Sequence, residues 1–176
     1  EDKKTILIIG GSLGAKTINE AIENSLDLFA ENNIQVLWQT GKGYYDGIIE
    51  RTKNRTIAHV KILQFIREMN MAYSAADIII SRAGALSISE LCIVGKPVVL
   101  IPSPNVSEDH QTKNAMALVN KDAAILVKDN EAKGKLGAVA VELLQDENKQ
   151  RKLAEHIKNL AKINAANDIV TEIIAP

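Results

Sequence analysis

The chain has 176 residues, 46% of them hydrophobic, enough to bury most of its apolar surface around one core and too few for two full domains. Its 21 Lys+Arg against 22 Asp+Glu give a formal net charge of -1, and aromatics make up 3%, so neither bulk charge nor base stacking favours nucleic acid as a partner. The one cysteine, Cys92, excludes an internal disulfide. In Leu91-Cys92-Ile93-Val94 it reads as a small buried side chain in a reducing compartment, the alternative being a reactive thiol. No apolar run approaches the roughly 20 residues that cross a bilayer, and no charged segment leads into an apolar leader. The opening Glu1-Asp2-Lys3-Lys4, without methionine and running almost at once into an apolar strand, is what a domain cut from a longer protein is expected to show.

Short β-branched runs alternate with longer helical patterns, the signature of βα units and of a parallel sheet covered on both faces. Thr5 to Ile9 is the first predicted strand; a glycine-rich turn and a crossover helix follow, with Ile18, Ala21, Ile22, Ser25 and Phe29 on one stripe. Ile34 to Trp38, His59 to Leu63 and Asp77 to Ile80 are the next predicted strands. A second helix is predicted from Ala85 to Val94, closed by Gly95 and then Pro97. Pro97 to Ile101 is the fifth strand, Pro102 to Ser107 an unusual loop, and Ala123 to Val127 the sixth strand. Beyond it, Leu136, Val139, Ala140, Leu143 and Leu144 on one stripe, then Leu153, Ile157 and Leu160 on another, predict two helices that cap the sheet. The predicted architecture is a Rossmann-like α/β parallel sheet with helices on both faces, one domain over residues 1–176.

Three segments at predicted strand ends carry the chemistry. In Gly10-Gly11-Ser12-Leu13-Gly14-Ala15, glycines at Gly10, Gly11 and Gly14 let the backbone turn tightly, and the following helix start favours an anion such as phosphate. Close strand-to-helix packing is an equal reading of the same glycines, and Ser12 could donate to a phosphate or cap the helix. The spacing is not G-x-G-x-x-G, and the second strand ends in Gln39-Thr40-Gly41 rather than an acidic residue, which disfavours NAD. The second segment, Ser81-Arg82-Ala83-Gly84-Ala85-Leu86-Ser87-Ile88-Ser89-Glu90, adds the fixed charge of Arg82 to another helix start and is the better anion site. Glu90 has two readings: with Ser87 it matches the S/T-x-x-E capping box, or its carboxylate accepts from two ribose hydroxyls. The third, Asp109-His110-Gln111-Thr112-Lys113-Asn114-Ala115, is a polar cluster where open α/β sheets hold ligands. Gln111 offers a carbonyl and an amide to sugar hydroxyls, and His110 is either an acid/base group or an ordinary loop histidine. No metal-ligand spacing stands out.

In order along the chain, the glycine turn, Phe65-Ile66-x-x-Met69, Ala72-Tyr73-x-x-Ala76-Asp77, Ser81 to Glu90, Gly95-x-Pro97 and His110-Gln111-x-x-Asn114-Ala115 resemble the MurG family of glycosyltransferases, over roughly positions 5 to 120. The resemblance implies the C-terminal, donor-binding half of a GT-B fold. It implies transfer of N-acetylglucosamine, with inversion, from UDP-N-acetylglucosamine to lipid-linked muramyl pentapeptide in peptidoglycan synthesis. By position it assigns the uracil edge to the backbone of Ile66, the diphosphate to Ser12 and Arg82, and the wall around phosphates and ribose to Gly84, Ala85, Leu86, Ser87 and Glu90. The ribose hydroxyls fall to Glu90, and the sugar to Gln111. It further implies no metal or other cofactor and no catalytic residue in this chain beyond leaving-group stabilisation by Arg82. The partners it implies are an N-terminal acceptor domain and, through that domain, the lipid-linked acceptor, in a cytoplasmic protein peripheral on the inner membrane. His110 and Leu13 depart from the family, where some members carry glutamine. Two other readings are a separate donor-binding subunit of a two-piece transferase and a UDP-N-acetylglucosamine epimerase-like domain.

Overall fold

The computed structural model describes residues 3–55, 59–104 and 109–174, so that Glu1, Asp2 and residues 105–107 of the Pro102–Ser107 loop lie outside the described residues. Within them, β1 (Thr5–Ile9), β2 (Gln35–Gln39), β3 (Val60–Leu63), β4 (Ile78–Ser81), β5 (Val98–Leu100) and β6 (Ile125–Leu126) form one sheet in the order β3-β2-β1-β4-β5-β6. Every pairing is parallel. Parallel neighbours need crossover connections, and helices supply them. These are α1 (Lys16–Glu31), α2 (Tyr45–Thr52), α3 (Met69–Ala75), α4 (Ala85–Val94) and α5 (His110–Val119); a 3-10 turn (Asp129–Glu131), α6 (Ala132–Gln145), α7 (Glu147–Lys158) and α8 (Ala165–Ile174) follow the last strand.

Alternation along the strands divides the core in two. Ile6, Ile8, Val36, Trp38, Ile78, Ile80 and Val99 face the layer of α1 and α6, with Ile18, Ile22, Phe29, Leu136 and Ala140 among its buried residues. Leu7, Ile79, Val98 and Leu100 face the other layer, where Ala72, Tyr73, Leu91, Cys92, Ala115 and Leu118 of α3, α4 and α5 are buried. Cys92 is 4% exposed, and burial raises its thiol pKa against the opposing charge of Lys121; this is the structural cysteine of the first reading. The buried indole of Trp38 donates to Asn19 Oδ1 at 3.0 Å, and Asn19 Nδ2 donates to the Thr40 carbonyl at 2.9 Å, so the polar atoms in this core are paired.

The strands fall within a residue or two of expectation, and the shifts have causes. Ile34 is apolar and buried, but its N–H closes the end of α1 onto the Phe29 carbonyl at 2.9 Å, leaving β2 to start at Gln35. Gln39, a polar residue, extends that strand because it pairs Ile9 on one side and Leu63 on the other. Helices α2, α3, α5 and α8 were not predicted. The first three bury two residues each, too few for an apolar stripe to be read, whereas α8 has Ile169, Val170, Ile173 and Ile174 on one face and buries none of them.

Candidate functional site

The strand order reverses between β1 and β4, which lie side by side with Ile9 opposite Ser81. The chain leaves β1 toward one face of the sheet and β4 toward the other, opening the crevice in which doubly wound sheets hold ligands. The two turns singled out in the sequence therefore meet at this point, although some 70 residues separate them.

The first turn resolves its two readings glycine by glycine. Gly14 (φ 81°) is a packing residue: a Cβ there would lie 2.1 Å from the Thr40 carbonyl oxygen, and one on Gly41 would lie 2.3 Å from the Gly14 nitrogen. Gly10 is also a packing residue, its Cβ position being 2.7 Å from Ala15 N. Gly11 (φ 85°) instead faces open space, with Ser12 and Leu13 exposed beside it. Ser12 is not a helix cap: α1 has Ala15 at its N-cap and no side-chain cap bond.

The second turn overturns the capping-box reading of Glu90. Helix α4 starts at Ala85 with Gly84 as N-cap, so Ser87 is its third residue and Glu90 its sixth, beyond reach of the free N–H groups. Neither α1 nor α4 has a side-chain cap or an acidic residue in its first turn, whereas Asp146 caps α7 by accepting from Lys149 N at 2.9 Å. The N–H groups at Gly84, Ala85 and Leu86 thus keep their partial positive charge for water or an anion. Glu90 is exposed and borders a cleft of about 410 Å³ with Met69, Asn70, Tyr73 and Lys96. Burial, with the charge and hydrogen bond of Glu90 adding to it, holds the Tyr73 phenol well above its usual pKa, so the hydroxyl stays protonated and serves as a donor to the carboxylate.

Arg82 has partners within the chain. Its Nη1 lies 2.5 Å from Asp129 Oδ1 and 3.1 Å from each of the Ile101 and Pro102 carbonyls, while Thr17 Oγ1 donates to Asp129 Oδ2 at 2.9 Å. With 14% and 18% of the two side chains exposed, this ion pair binds the second turn to the 3-10 turn before α6 and, through Thr17, to α1. Gln111 is similarly engaged: its Oε1 accepts from Ser103 N at 2.9 Å and Ala83 N at 3.3 Å, so the carbonyl half of the predicted sugar contact holds loops together and the amide half remains. Asn114 Nδ2 donates to the Ala83 carbonyl at 3.1 Å. His110 is the exposed first residue of α5. Ile66 is buried, and its N–H donates to Gln39 Oε1 at 2.8 Å. Gln39 and Asp129 are the residues that sequence reasoning missed. A polar residue ending a buried strand was the available signal for Gln39; nothing local marks Asp129.

Among the described residues, no group of three or more His, Cys, Asp or Glu could hold a metal ion, and no helix is long and apolar enough to cross a membrane. A doubly wound parallel sheet with helices on both faces defines a Rossmann-like α/β domain, and the uncapped terminus of α4 opens on the crevice at its switch point. The model of the glycosyltransferase family 28 C-terminal domain matches residues 5–173, and the chain belongs to that family. It is 51% identical over 173 residues to a UDP-N-acetylglucosamine--N-acetylmuramyl-(pentapeptide) pyrophosphoryl-undecaprenol N-acetylglucosamine transferase of Parabacteroides distasonis, covering 98% of this chain and 47% of that protein. The corresponding transferase of Bacteroides thetaiotaomicron is 53% identical over 175 residues, with the same coverage of 98% and 47%. The crystal structure of Acinetobacter baumannii MurG superposes with a TM-score of 0.85 at 31% identity, covering 98% of this chain and 50% of that one. The chain thus spans about half the length of the relatives it matches, and its architecture is that of the C-terminal half of a GT-B fold.

Proposed function

We propose that this chain is the donor-binding domain of an inverting glycosyltransferase that moves N-acetylglucosamine from UDP-N-acetylglucosamine to lipid-linked muramyl pentapeptide. The observation that carries this reading is the uncapped N-terminus of α4 at the switch point, with Glu90 a turn and a half further along the same helix and the Ile66 segment across the crevice. The names of the half-identical relatives supply the substrates. In this reading the diphosphate sits on the Gly84 to Leu86 N–H groups, facing Gly11 and Ser12, the ribose hydroxyls donate to Glu90, and Gln111 offers its amide to the sugar.

The domain's part in the reaction is electrostatic. Negative charge develops on UDP as the glycosidic bond breaks, and N–H groups already oriented by the helix stabilise it without reorganising. Arg82, neutralised by Asp129, contributes mainly by fixing the loop that holds Gln111. No metal is required at the diphosphate in this scheme. The acceptor hydroxyl is deprotonated from the other half of the protein, which also binds the lipid-linked acceptor; the whole enzyme would work in the cytoplasm, peripheral to the inner membrane.

Calorimetry tests the reading directly. The 176-residue chain is expected to bind UDP and UDP-N-acetylglucosamine, with affinity unchanged by EDTA. An absence of binding, or binding only with added divalent metal, would overturn it.

A further inference from the structure

Gln39 occupies an unusual place. It is the last residue of β2, flanked in register by Ile9 of β1 and Leu63 of β3, and is 3% exposed. Its carboxamide ties together two segments on the β1 side of the crevice: Nε2 donates to the Gly11 carbonyl at 3.2 Å, and Oε1 accepts from the Ile66 N–H at 2.8 Å. The Gly11 carbonyl also accepts from Gly14 N at 3.1 Å, so it is held inward twice.

These two bonds determine what the neighbouring peptides show to the crevice. The described residues contain no cis peptide bond, and in a planar trans peptide the C=O of one residue and the N–H of the next point in opposite directions. Turning the Gly11 carbonyl toward Gln39 therefore turns the Ser12 N–H away from it. Turning the Ile66 N–H toward Gln39 likewise turns the Phe65 carbonyl away. Both outward groups belong to exposed residues, Ser12 and the 55% exposed Phe65.

We infer that Gln39 is a positioning residue for donor recognition, fixing the Ser12 N–H as a donor to the diphosphate and the Phe65 carbonyl as an acceptor for a pyrimidine bearing N–H at ring position 3. The inference rests on the donor-binding reading above and goes beyond it in two respects. It moves the outward base-reading acceptor from Ile66 to the Phe65 carbonyl, and it makes base selectivity depend on a buried side chain that touches no ligand. Uracil presents N–H at that position and cytosine presents a lone pair, so a fixed carbonyl favours the first and repels the second.

The test compares UDP and CDP binding to the parent chain and to two variants. The parent should prefer UDP. In Q39M both bonds are lost; UDP affinity should fall about tenfold and the preference over CDP should narrow toward one. In Q39E the carboxylate still accepts from Ile66 but cannot donate to Gly11, so both nucleotides should weaken by a similar factor and the preference should persist. A purely structural role would lower the fraction of competent protein without changing the ratio of the two affinities. Unchanged UDP affinity in Q39M, or a preference that survives in it, would overturn the inference and leave the donor-binding reading standing. A parent that binds neither nucleotide would remove both. Amide NMR of the parent needs no variant: UDP should shift the Ser12 N–H and leave the Gln39-held Ile66 N–H largely unmoved, and the reverse pattern would overturn the inference.

Discussion

Glu90 and Arg82 lie eight positions apart in one sequence segment, yet their removal should have opposite consequences. Glu90 is exposed, caps nothing and faces the Tyr73 hydroxyl, so Glu90→Ala removes an acceptor without opening a cavity. Its melting temperature should stay within roughly 2 °C of the parent, while UDP affinity drops about tenfold with loss of the ribose contact proposed for it. Arg82→Ala leaves Asp129 largely buried without its cation and releases the Ile101 and Pro102 carbonyls. That should destabilise the chain by about 2–4 kcal/mol in denaturant unfolding, the usual result of breaking a largely buried pair. A variant pair behaving the other way round, with Glu90 needed for stability and Arg82 for binding alone, would return both residues to the roles read from local sequence. The difference was illegible there because the decisive partner of Arg82 is 47 residues away, while a capping box is recognised from four consecutive positions whatever the true helix start.

At the scale of elements, a sheet covered on both faces could be read from the unbroken apolar runs of β1, β4 and β5, α1 from its stripe and α4 from its stripe and closing Gly95 and Pro97. What could not be read was the meeting of loops. The glycine turn after β1 and the Gly41 turn after β2 interlock so tightly that Gly14 and Gly41 admit no Cβ, a constraint set by two segments jointly. This separates the glycines experimentally. Gly14→Ala forces a methyl into the Thr40 carbonyl at positive φ and should cost about 3 kcal/mol or more. Gly11→Ala meets no atom within 4 Å and carries only the backbone penalty of positive φ, about 1 kcal/mol. UDP titrations at a temperature where both remain folded should show the larger loss of affinity for Gly11→Ala, since only Gly11 lies on the open side of the turn. Equal affinities would confine the whole turn to packing.

Across the whole molecule, sequence order sufficed for the family and the sheet, because motifs at strand ends are arranged by topology alone. The last helix followed a different logic. In α8 no described residue is buried, and Ile169, Val170, Ile173 and Ile174 are 52–74% exposed, with Ile163 80% exposed just before it. A stripe of that kind contributes to stability only when something covers it, and nothing among the described residues does. Deleting residues 163–176 should therefore leave the melting temperature within about 2 °C and UDP affinity unchanged, because none of its described residues is buried and none lies among the proposed donor contacts. The truncated chain should also stay monomeric to higher concentration in sedimentation or light scattering, since the exposed apolar face that invites self-association has gone. A large fall in melting temperature would mean that α8 packs on this half in solution and that the crevice, the sheet and the final helix form one cooperative unit.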